Sequence, residues 1–201
     1  RYGTLMCING TGILNRWLHD TFGVDGDLSY AQMNEEAATA PVGSDGLAIL
    51  PFGNGAERTL GNQDLGASVH GLNVNVHDRS HLLRAAQEGI VFALRYGLDI
   101  MRDMGLSANT VRAGHANMFL SPVFTEAFAT ATGTAVELVR TDGAEGAARG
   151  AGVGAGLFAS PAEAFEGLET IRTVAPRADR TAAYADAYHR WTQHLAHQLN
   201  R

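Results

Sequence analysis

Three glycine-rich segments have residue types and spacing that suit the binding of a phosphate or a nucleotide. They are 10–12, 114–117 and 142–146, and each is predicted to follow a strand and to open a helix. At such a junction, free backbone N–H groups and the helix dipole favour an anion, and the missing side chains let a ligand approach closely. Each segment alone is also compatible with an ordinary tight turn. Their shared position in three units favours a nucleotide cleft at one end of a parallel sheet.

A second glycine pattern lies on the helix predicted for 143–158. Gly146, Gly150 and Gly154 recur every four residues and therefore share one helix face. The first turn of this helix is a candidate for contact with a ligand. Alternatively, the face is smooth so that another helix can pack closely against it. The two interpretations are compatible.

The histidines are weak candidates for a metal site. Five of the eight fall in two groups with helical spacing: His77 and His81, and His189, His194 and His197. No metal site is predicted, because no Cys, Asp or Glu partner completes a pattern such as H-E-x-x-H. His115 differs because it lies inside the second glycine segment, where it either borders a bound base or fills the turn.

Charged pairs suggest structural roles more readily than catalysis. Glu57 and Arg58 follow an apolar strand and form either a solvated pair, which contributes little, or a contact that pins a loop at a domain border. Glu88 lies in a long apolar helix with Arg84 four residues earlier, so an internal ion pair is predicted. No serine nucleophile elbow is present, and Cys7 has no obvious local base. No catalytic residue is assigned.

The elements that must position these residues alternate between strands and helices, which predicts an α/β fold. The predicted strands are 2–8, 47–52, 66–76, 109–114 and 135–140. The predicted helices are one beginning at Gly12 and ending before Gly23, then 28–39 (capped by Asp27 or Ser29), 79–104, 121–132, 143–158 and 179–199. The helix at 79–104 is apolar over much of its surface and is therefore expected to be central and buried.

Composition excludes several classes of protein. With 201 residues, 45% hydrophobic and 18% charged, the chain is globular rather than disordered. All 15 basic residues are arginine, which excludes a Walker A loop and Schiff-base chemistry. The net charge of −6 and the lack of an arginine cluster argue against nucleic acid, and no apolar run approaches the ~20 residues of a membrane span. The single Cys7 allows no internal disulfide, so a reducing, cytoplasmic location is expected.

Four segments in order resemble the C-terminal half of the FGGY-type carbohydrate kinases. They are LPFGNGAERT (50–59), LGASVHGLNVNVHDRSHLLRAAQEGIVFAL (65–94), VRAGHANMF (111–119) and DGAEGAARGAGVGAG (142–156). The resemblance implies an actin-like ATPase domain of the ribonuclease H type, with a mixed sheet flanked by helices. It also implies transfer of the γ-phosphate of ATP, with Mg²⁺, to a sugar hydroxyl in a cleft between two domains. D-xylulose is the expected acceptor; the alternatives are ribulose, rhamnulose or gluconate, or a non-catalytic nucleotide-binding module.

The resemblance also assigns site residues by position. ATP contacts fall on seven residues: Gly12, Arg16, Gly114, His115, Ala116, Asn117 and Gly146. Glu57 and Arg58 match a structural element at the border of the cleft. The sequence departs from the family at 113–119, where AGHANMF replaces a run of three glycines, and at 128–130, where an acidic residue is usual.

The length of the chain sets a further expectation, because family members are more than twice as long. In the family, the general-base aspartate, most sugar contacts and a Gly-Thr hairpin lie in the part that would precede Arg1. Residues 1–201 are therefore expected to be the nucleotide-side domain, which alone lacks sugar kinase activity and reaches its ketose substrate through the other domain. The uncovered sheet edge and apolar surface predict self-association as a homodimer.

Overall fold

The structure is a computed structural model that describes residues 4–23 and 28–200. Its helices are α1 (Gly12–Phe22), α2 (Tyr30–Thr39), α3 (Arg79–Asp103), α4 (Pro122–Thr132), α5 (Gly143–Gly154), α6 (Pro161–Ala164) and α7 (Thr181–Leu199). Its strands are β1 (Ala48–Phe52), β2 (Gly66–His70), β3 (Thr110–Gly114), β4 (Ala135–Val139) and β5 (Thr170–Val174). No helix among these described residues is long and apolar enough to cross a membrane.

The strands form two sheets. β1 and β2 pair antiparallel, with Ile49 opposite Val69. In the second sheet the order is β3–β4–β5: β3 and β4 run parallel, and β4 and β5 run antiparallel. The sheet is therefore mixed, as the family resemblance implies, rather than wholly parallel.

Local signals explain the helix boundaries. Ser29 caps α2: its hydroxyl accepts from the Gln32 N–H while the Gln32 side chain accepts from the Ser29 N–H, a complete capping box. Asp27, the other predicted cap, lies outside the described residues. Gly23 follows the last residue of α1, as predicted. Gly133, in the left-handed region at φ 67°, ends α4.

Three expectations for the strands are wrong. Residues 4–8 form no strand, so segment 10–12 opens α1 without following one; residues 1–3 lie outside the described part. The strand predicted at 66–76 ends at His70, because the chain then turns at Asn73, whose carbonyl accepts from the His77 N–H. Conversely, β5 lies in a segment where no strand was predicted, and four of its five residues are exposed. Its only sequence signal is its content of β-branched residues.

The buried core surrounds α3, which confirms the expectation for this helix. Its residues between Leu83 and Ala93 are nearly all buried. At Gly89 the helix backbone lies against β1, where an added Cβ would be 2.2 Å from the Ile49 carbonyl oxygen. The indole N–H of Trp191, on α7, donates to the same carbonyl at 2.9 Å. α3 therefore packs so closely against β1 that no side chain fits at position 89.

The predicted internal ion pair is confirmed on α3. Arg84 Nε lies 2.8 Å from Glu88 Oε1, and the two side chains are 4% and 2% exposed. Arg84 also donates to the Ala40 carbonyl and to the Tyr184 hydroxyl, each at 3.0 Å. Glu88 accepts from the Gly43 N–H. Burial raises the pKa of the Glu88 carboxyl, an effect that the neighbouring Arg84 opposes. The hydrogen-bonding groups of the buried pair therefore all have partners. Through Ala40, which directly follows α2, and Tyr184 on α7, the pair connects α3 to both of these helices.

Candidate functional site

The turn before α1 is held by a buried carboxylate. Glu57 is fully buried, and its two oxygens accept from the Asn9 N–H at 2.9 Å each. One of them also accepts from the Gly10 N–H at 3.0 Å. Gly10 must be glycine here, since an added Cβ would lie 1.7 Å from the Pro51 carbonyl oxygen. The first glycine segment is therefore fixed against the end of β1, and it places the beginning of α1.

Glu57 and its neighbour Arg58 have different roles. The amide of Asn9 donates to the Ala56 carbonyl at 2.9 Å, and the amide of Asn54 donates to the Asn9 carbonyl at 3.2 Å, so two further bonds reinforce the turn. Arg58 is exposed, and its side chain makes no hydrogen bond or ion pair with the described residues. Of the two interpretations of this pair, the pinned loop applies to Glu57. The position of the two residues at a cleft border stays a prediction.

A groove of about 410 Å³, called the central groove here, lies between α1, α2 and the segment that follows β3. It is lined by Gly12, Asn15, Arg16, Tyr30, Asn34, Asn117, Met118, Leu120 and Ser121. Three of the predicted site residues, Gly12, Arg16 and Asn117, meet there although a hundred residues separate the first from the last. Apart from its chain neighbours and the backbone of its own helix, no atom lies within 4 Å of the position of a Cβ on Gly12, so this face of α1 is open to a ligand.

The lining of the central groove suits a flat, polar-edged ligand. Tyr30, Met118 and Leu120 contribute apolar surface, and asparagine side chains contribute hydrogen-bonding groups. Arg16 is exposed, and its guanidinium pairs with no carboxylate among the described residues. Asn117 has a left-handed backbone, with φ at 52°, a conformation that asparagine tolerates better than most residues. A base or nucleoside with one adjacent negative charge fits this set of groups.

A second groove, called the edge groove here, lies at the carboxyl ends of β3 and β4. It is lined by His115, Ala116, Arg140, Thr141, Asp142, Glu145 and Ile171 and has a volume of about 310 Å³. At Gly114 an added Cβ would be 2.5 Å from the Thr141 carbonyl oxygen, so the two strand ends approach closely. The second and third glycine segments thus meet at one end of the sheet, whereas the first, which was expected there as well, lies at the central groove.

Carboxylates dominate the electrostatics of the edge groove. The Asp142 side chain caps α5 by accepting from the Glu145 N–H at 2.8 Å. Arg149 holds the pKa of Glu145 below its usual value through a hydrogen bond, so this carboxylate is charged at neutral pH. Arg140 is paired with Glu169 at 2.7 Å. Because a carboxylate already occupies the N-terminus of α5, this helix end disfavours a phosphate.

One predicted site residue, Gly146, behaves differently from expectation, and so does the helix face on which it lies. Gly146 lines neither groove, and no atom lies within 4 Å of a Cβ added to Gly146, Gly150 or Gly154. Within the described residues, this face of α5 therefore packs against no other helix. The glycine of this helix that makes a close contact is Gly152, beside the ring of Phe158.

Three lining residues of the central groove, Asn15, Tyr30 and Asn34, carried a signal that the sequence prediction did not use. Asn15 lies three residues after Gly12 on α1, and Asn34 lies four residues after Tyr30 on α2. Residues at these spacings share a helix face. Helical spacing counted from Gly12 on α1, and from the beginning of α2 after Ser29, would therefore have identified Asn15, Tyr30 and Asn34 as side chains on the faces toward the groove.

A resident metal site is not found in the described residues, which hold no cluster of three or more His, Cys, Asp or Glu side chains placed to bind a metal ion. His77 and His81 lie near each other, with ring centroids 5.4 Å apart. His81 instead contacts two carboxylates, those of Asp78 and Asp45. No residue of the chain is therefore assigned to Mg²⁺.

Known proteins resemble the chain over most of its length. The model of the C-terminal domain of the FGGY family of carbohydrate kinases matches residues 1–158. The chain is 29% identical over 201 residues to a xylulose kinase of Haemophilus influenzae, covering 96% of this chain and 38% of that protein. It is 32% identical over 175 residues to the L-xylulose/3-keto-L-gulonate kinase of Escherichia coli K12, covering 85% of this chain and 34% of that protein. The chain thus spans less than two fifths of the length of these relatives.

Solved structures confirm the fold class. A xylulose kinase from Rhodospirillum rubrum aligns with a TM-score of 0.76 at 25% identity, over 94% of this chain and 38% of that one. A gluconate kinase from Lactobacillus acidophilus aligns with a TM-score of 0.77 at 20% identity, over 96% of this chain and 39% of that one. Because the identity is this low, the alignment supports the fold alone. The mixed sheet flanked by helices is that of an actin-like ATPase. Because the family model matches most of the sequence, the chain belongs to the FGGY family of carbohydrate kinases and forms part of its C-terminal domain.

Proposed function

We propose that residues 1–201 form the nucleotide-side domain of an ATP-dependent carbohydrate kinase, and that the central groove holds the nucleotide. The observation that carries this proposal is the meeting of Gly12, Arg16 and Asn117 in one groove. Membership of the kinase family gives the ligand class, since kinases of this family use ATP. The open face of Gly12 allows close approach, and Arg16, which has no carboxylate partner in the part of the chain that the structure describes, supplies a positive charge.

The central groove and the edge groove are proposed to contact different parts of the nucleotide. Tyr30, Met118 and the asparagines of the central groove provide a surface for a base and its ribose. His115 and Ala116 line the edge groove, and the lack of a side chain at Gly114 lets the ends of β3 and β4 approach each other closely beside it. ATP supplies the γ-phosphoryl group that is transferred, and Mg²⁺ accompanies it. This chain's contribution is to bind and orient the nucleotide.

The acceptor is proposed to be a ketose, D-xylulose in the first place. Relatives named as xylulose kinases support this choice, and the E. coli relative named for L-xylulose and 3-keto-L-gulonate supports a related sugar as the alternative. The sugar and its general base are assigned to the other domain of the kinase. A cytoplasmic location is proposed with it, since Cys7 is the only cysteine and forms no disulfide.

The experiment that tests the proposal measures ADP release by the intact gene product with ATP and a panel of D-xylulose, L-xylulose, ribulose, rhamnulose and gluconate. Turnover is expected to be fastest with D-xylulose. Residues 1–201 alone are expected to give no turnover, because phosphoryl transfer needs groups from both faces of a closed cleft. Intact protein that binds ATP but consumes none with any sugar would instead favour a non-catalytic nucleotide-binding module.

Self-association as a homodimer is proposed on a separate observation. An apolar groove of about 580 Å³ lies between α1 and the β1–β2 sheet. Trp17 and Val69 on its rim are 59% and 49% exposed, and exposed apolar patches of this kind favour association. Sedimentation velocity of residues 1–201 is expected to show a dimer that Trp17→Gln weakens. Leu157→Gln, at an exposed position outside this groove, is the matched control and should leave the dimer intact; a monomer at all concentrations would refute it.

A further inference from the structure

A buried glutamine lies behind the central groove and connects two of its walls. Gln87 is on α3 and is 1% exposed. Its amide Nε2 donates to Asn34 Oδ1 at 3.0 Å, and its Oε1 accepts from the Ser121 hydroxyl at 2.7 Å. Asn34 and Ser121 both line the groove, from α2 and from the beginning of α4. A polar residue on the most buried helix therefore bridges two walls of the proposed nucleotide site.

The direction of these hydrogen bonds is set at the N-terminus of α4. Ser121 caps that helix, and its Oγ accepts from the Phe124 N–H at 3.3 Å. Ser121 is 2% exposed, so its hydroxyl hydrogen needs a buried acceptor, and Gln87 Oε1 is in place to be that acceptor. With Oε1 used in this way, the glutamine amide turns its N–H groups toward Asn34. If the amide of Gln87 were reversed, the Ser121 hydrogen would lose this acceptor.

The same logic orients the side chain of Asn34. Its Oδ1 is occupied by the N–H of Gln87. Its Nδ2 makes no hydrogen bond with any residue in the described ranges, and the side chain is half-buried at the groove. Asn34 therefore presents a hydrogen-bond donor to the groove and not an acceptor. The chain of bonds runs from the Phe124 N–H through Ser121 and Gln87 to Asn34, and each bond polarises the next.

We propose that Asn34 contacts the bound nucleotide as a hydrogen-bond donor, to a ring nitrogen of the base or to a ribose hydroxyl, and that Gln87 is the positioning residue that keeps the donor turned toward the ligand. This proposal rests on the nucleotide binding proposed above for the central groove. Gln87 itself touches no ligand, because it is buried behind Asn34 and Ser121. Its role is to remove the freedom of the Asn34 amide to rotate by half a turn, which would replace the donor by an acceptor.

The test compares steady-state kinetics of the intact gene product and its variants, with ATP varied at saturating sugar. Asn34→Asp keeps the acceptor for Gln87 and places a second acceptor where the donor was. It is expected to raise the KM for ATP about 30-fold, and Asn34→Ala about tenfold, since a lost hydrogen bond costs about one such factor. The kcat and the KM for the sugar should stay within twofold. An Asn34→Asp variant with an unchanged KM for ATP would show that position 34 donates no hydrogen bond to the nucleotide and would overturn the proposal.

A double-mutant cycle then tests the positioning role. Gln87→Leu frees the Asn34 amide and is expected to raise the KM for ATP about fivefold. Introduced into Asn34→Ala, the same change should have no further effect on this KM, because no amide is left to orient. If Gln87→Leu raised the KM by the same factor in both backgrounds, Gln87 would have a general structural role and the inference would fail.

Folding and ligand binding must be separated in this test. Thermal unfolding of each variant reports any loss of stability, and the half-exposed Asn34 variants are expected to fold even if Gln87→Leu does not. Calorimetric titration with ADP tests the groove itself: if the unaltered protein binds no nucleotide, the proposed function fails. If it binds ADP and the Asn34 variants bind equally well, only the present inference fails.

Discussion

The central groove and the edge groove both begin with glycine-rich turns, yet their electrostatics differ. In the central groove the polar side chains other than Arg16 are uncharged, and the guanidinium of Arg16 has no carboxylate partner among the described residues. In the edge groove, Asp142 occupies the N-terminus of α5, and Arg140 is neutralised by Glu169. A glycine turn before a helix therefore does not by itself make an anion site. Anion binding also requires that no side chain of the protein already accepts hydrogen bonds from the helix N–H groups and that the nearby cations are not paired with carboxylates.

The largest effect is expected from loss of the buried carboxylate that fixes the turn before α1. Glu57→Gln replaces an acceptor oxygen by a donor facing the N–H groups of Asn9 and Gly10. The free energy of unfolding should fall by about 3 kcal/mol, because buried charged hydrogen bonds are costly to break. Urea denaturation measures this. Arg58→Gln, at the exposed neighbouring position, is the control and should change it by less than about 0.5 kcal/mol; equal losses would contradict the pinning role.

The next effect compares the cations of the two grooves. Arg16→Ala should weaken ADP binding by the intact gene product about tenfold, or about 1.4 kcal/mol, since it removes the unpaired charge of the central groove. Arg140→Ala should change the affinity less than twofold, because its guanidinium is paired with Glu169. Calorimetric titration measures both. A greater loss from Arg140→Ala would reverse the assignment of the two grooves.

A smaller effect is expected at the cap of α5. Asp142→Ala removes the side chain that accepts from the Glu145 N–H and should lower the free energy of unfolding by about 1 kcal/mol. Asp142→Asn keeps an acceptor and should lose much less. The asparagine variant also removes the negative charge at the helix N-terminus, so weak binding of inorganic phosphate is expected to appear there. Unchanged phosphate binding in this variant would mean that the carboxylate is not what excludes an anion.

The smallest effect concerns the pH dependence of the edge groove. The pKa of Glu145 is lowered from 4.5 by its hydrogen bond with Arg149. A carboxyl whose pKa is lower in the folded state stabilises the fold above its unfolded pKa, and this contribution disappears as the pH falls through the lower, folded value. Arg149→Met should therefore lower the stability slightly at pH 7, where this contribution is fully present, and flatten the dependence of stability on pH below about 4.5. Urea denaturation at several pH values measures this, and an unchanged slope would show that the exposed pair is screened by solvent.

Local sequence signals predicted the helices well because the residues that delimit them are neighbours in sequence. Ser29 and Gly23 mark helix ends through contacts within a few residues. The role of Glu57 could not be predicted in this way: its partners Asn9 and Gly10 are 48 and 47 residues away. The same holds for Gln87, which in the sequence is one polar residue in an apolar helix. Its meaning depends on Asn34, 53 residues earlier.

Strands were predicted less well for a related reason, because pairing depends on a distant partner. Residues 4–8 have an apolar pattern but pair with no described strand. β5 has mostly exposed residues, and its partners in β4 lie 31 to 38 residues earlier in the sequence. Of the site residues taken from the family resemblance, Gly12, Arg16 and Asn117 line one groove, and their contact with ATP stays a prediction. Gly146 did not join them, because spacing along a helix cannot show which neighbour its face meets.

The close approach of α3 to β1 at Gly89 has a consequence for engineering the domain. Replacing a glycine in the middle of a helix by alanine ordinarily stabilises it by about 1 kcal/mol through helix propensity. At Gly89 the added methyl group would lie 2.2 Å from the Ile49 carbonyl oxygen, which is backbone and also accepts the Trp191 indole N–H. The substitution would therefore push apart the two elements around which the core is built. A glycine-to-alanine substitution that stabilises most helices is therefore expected to destabilise this domain at Gly89.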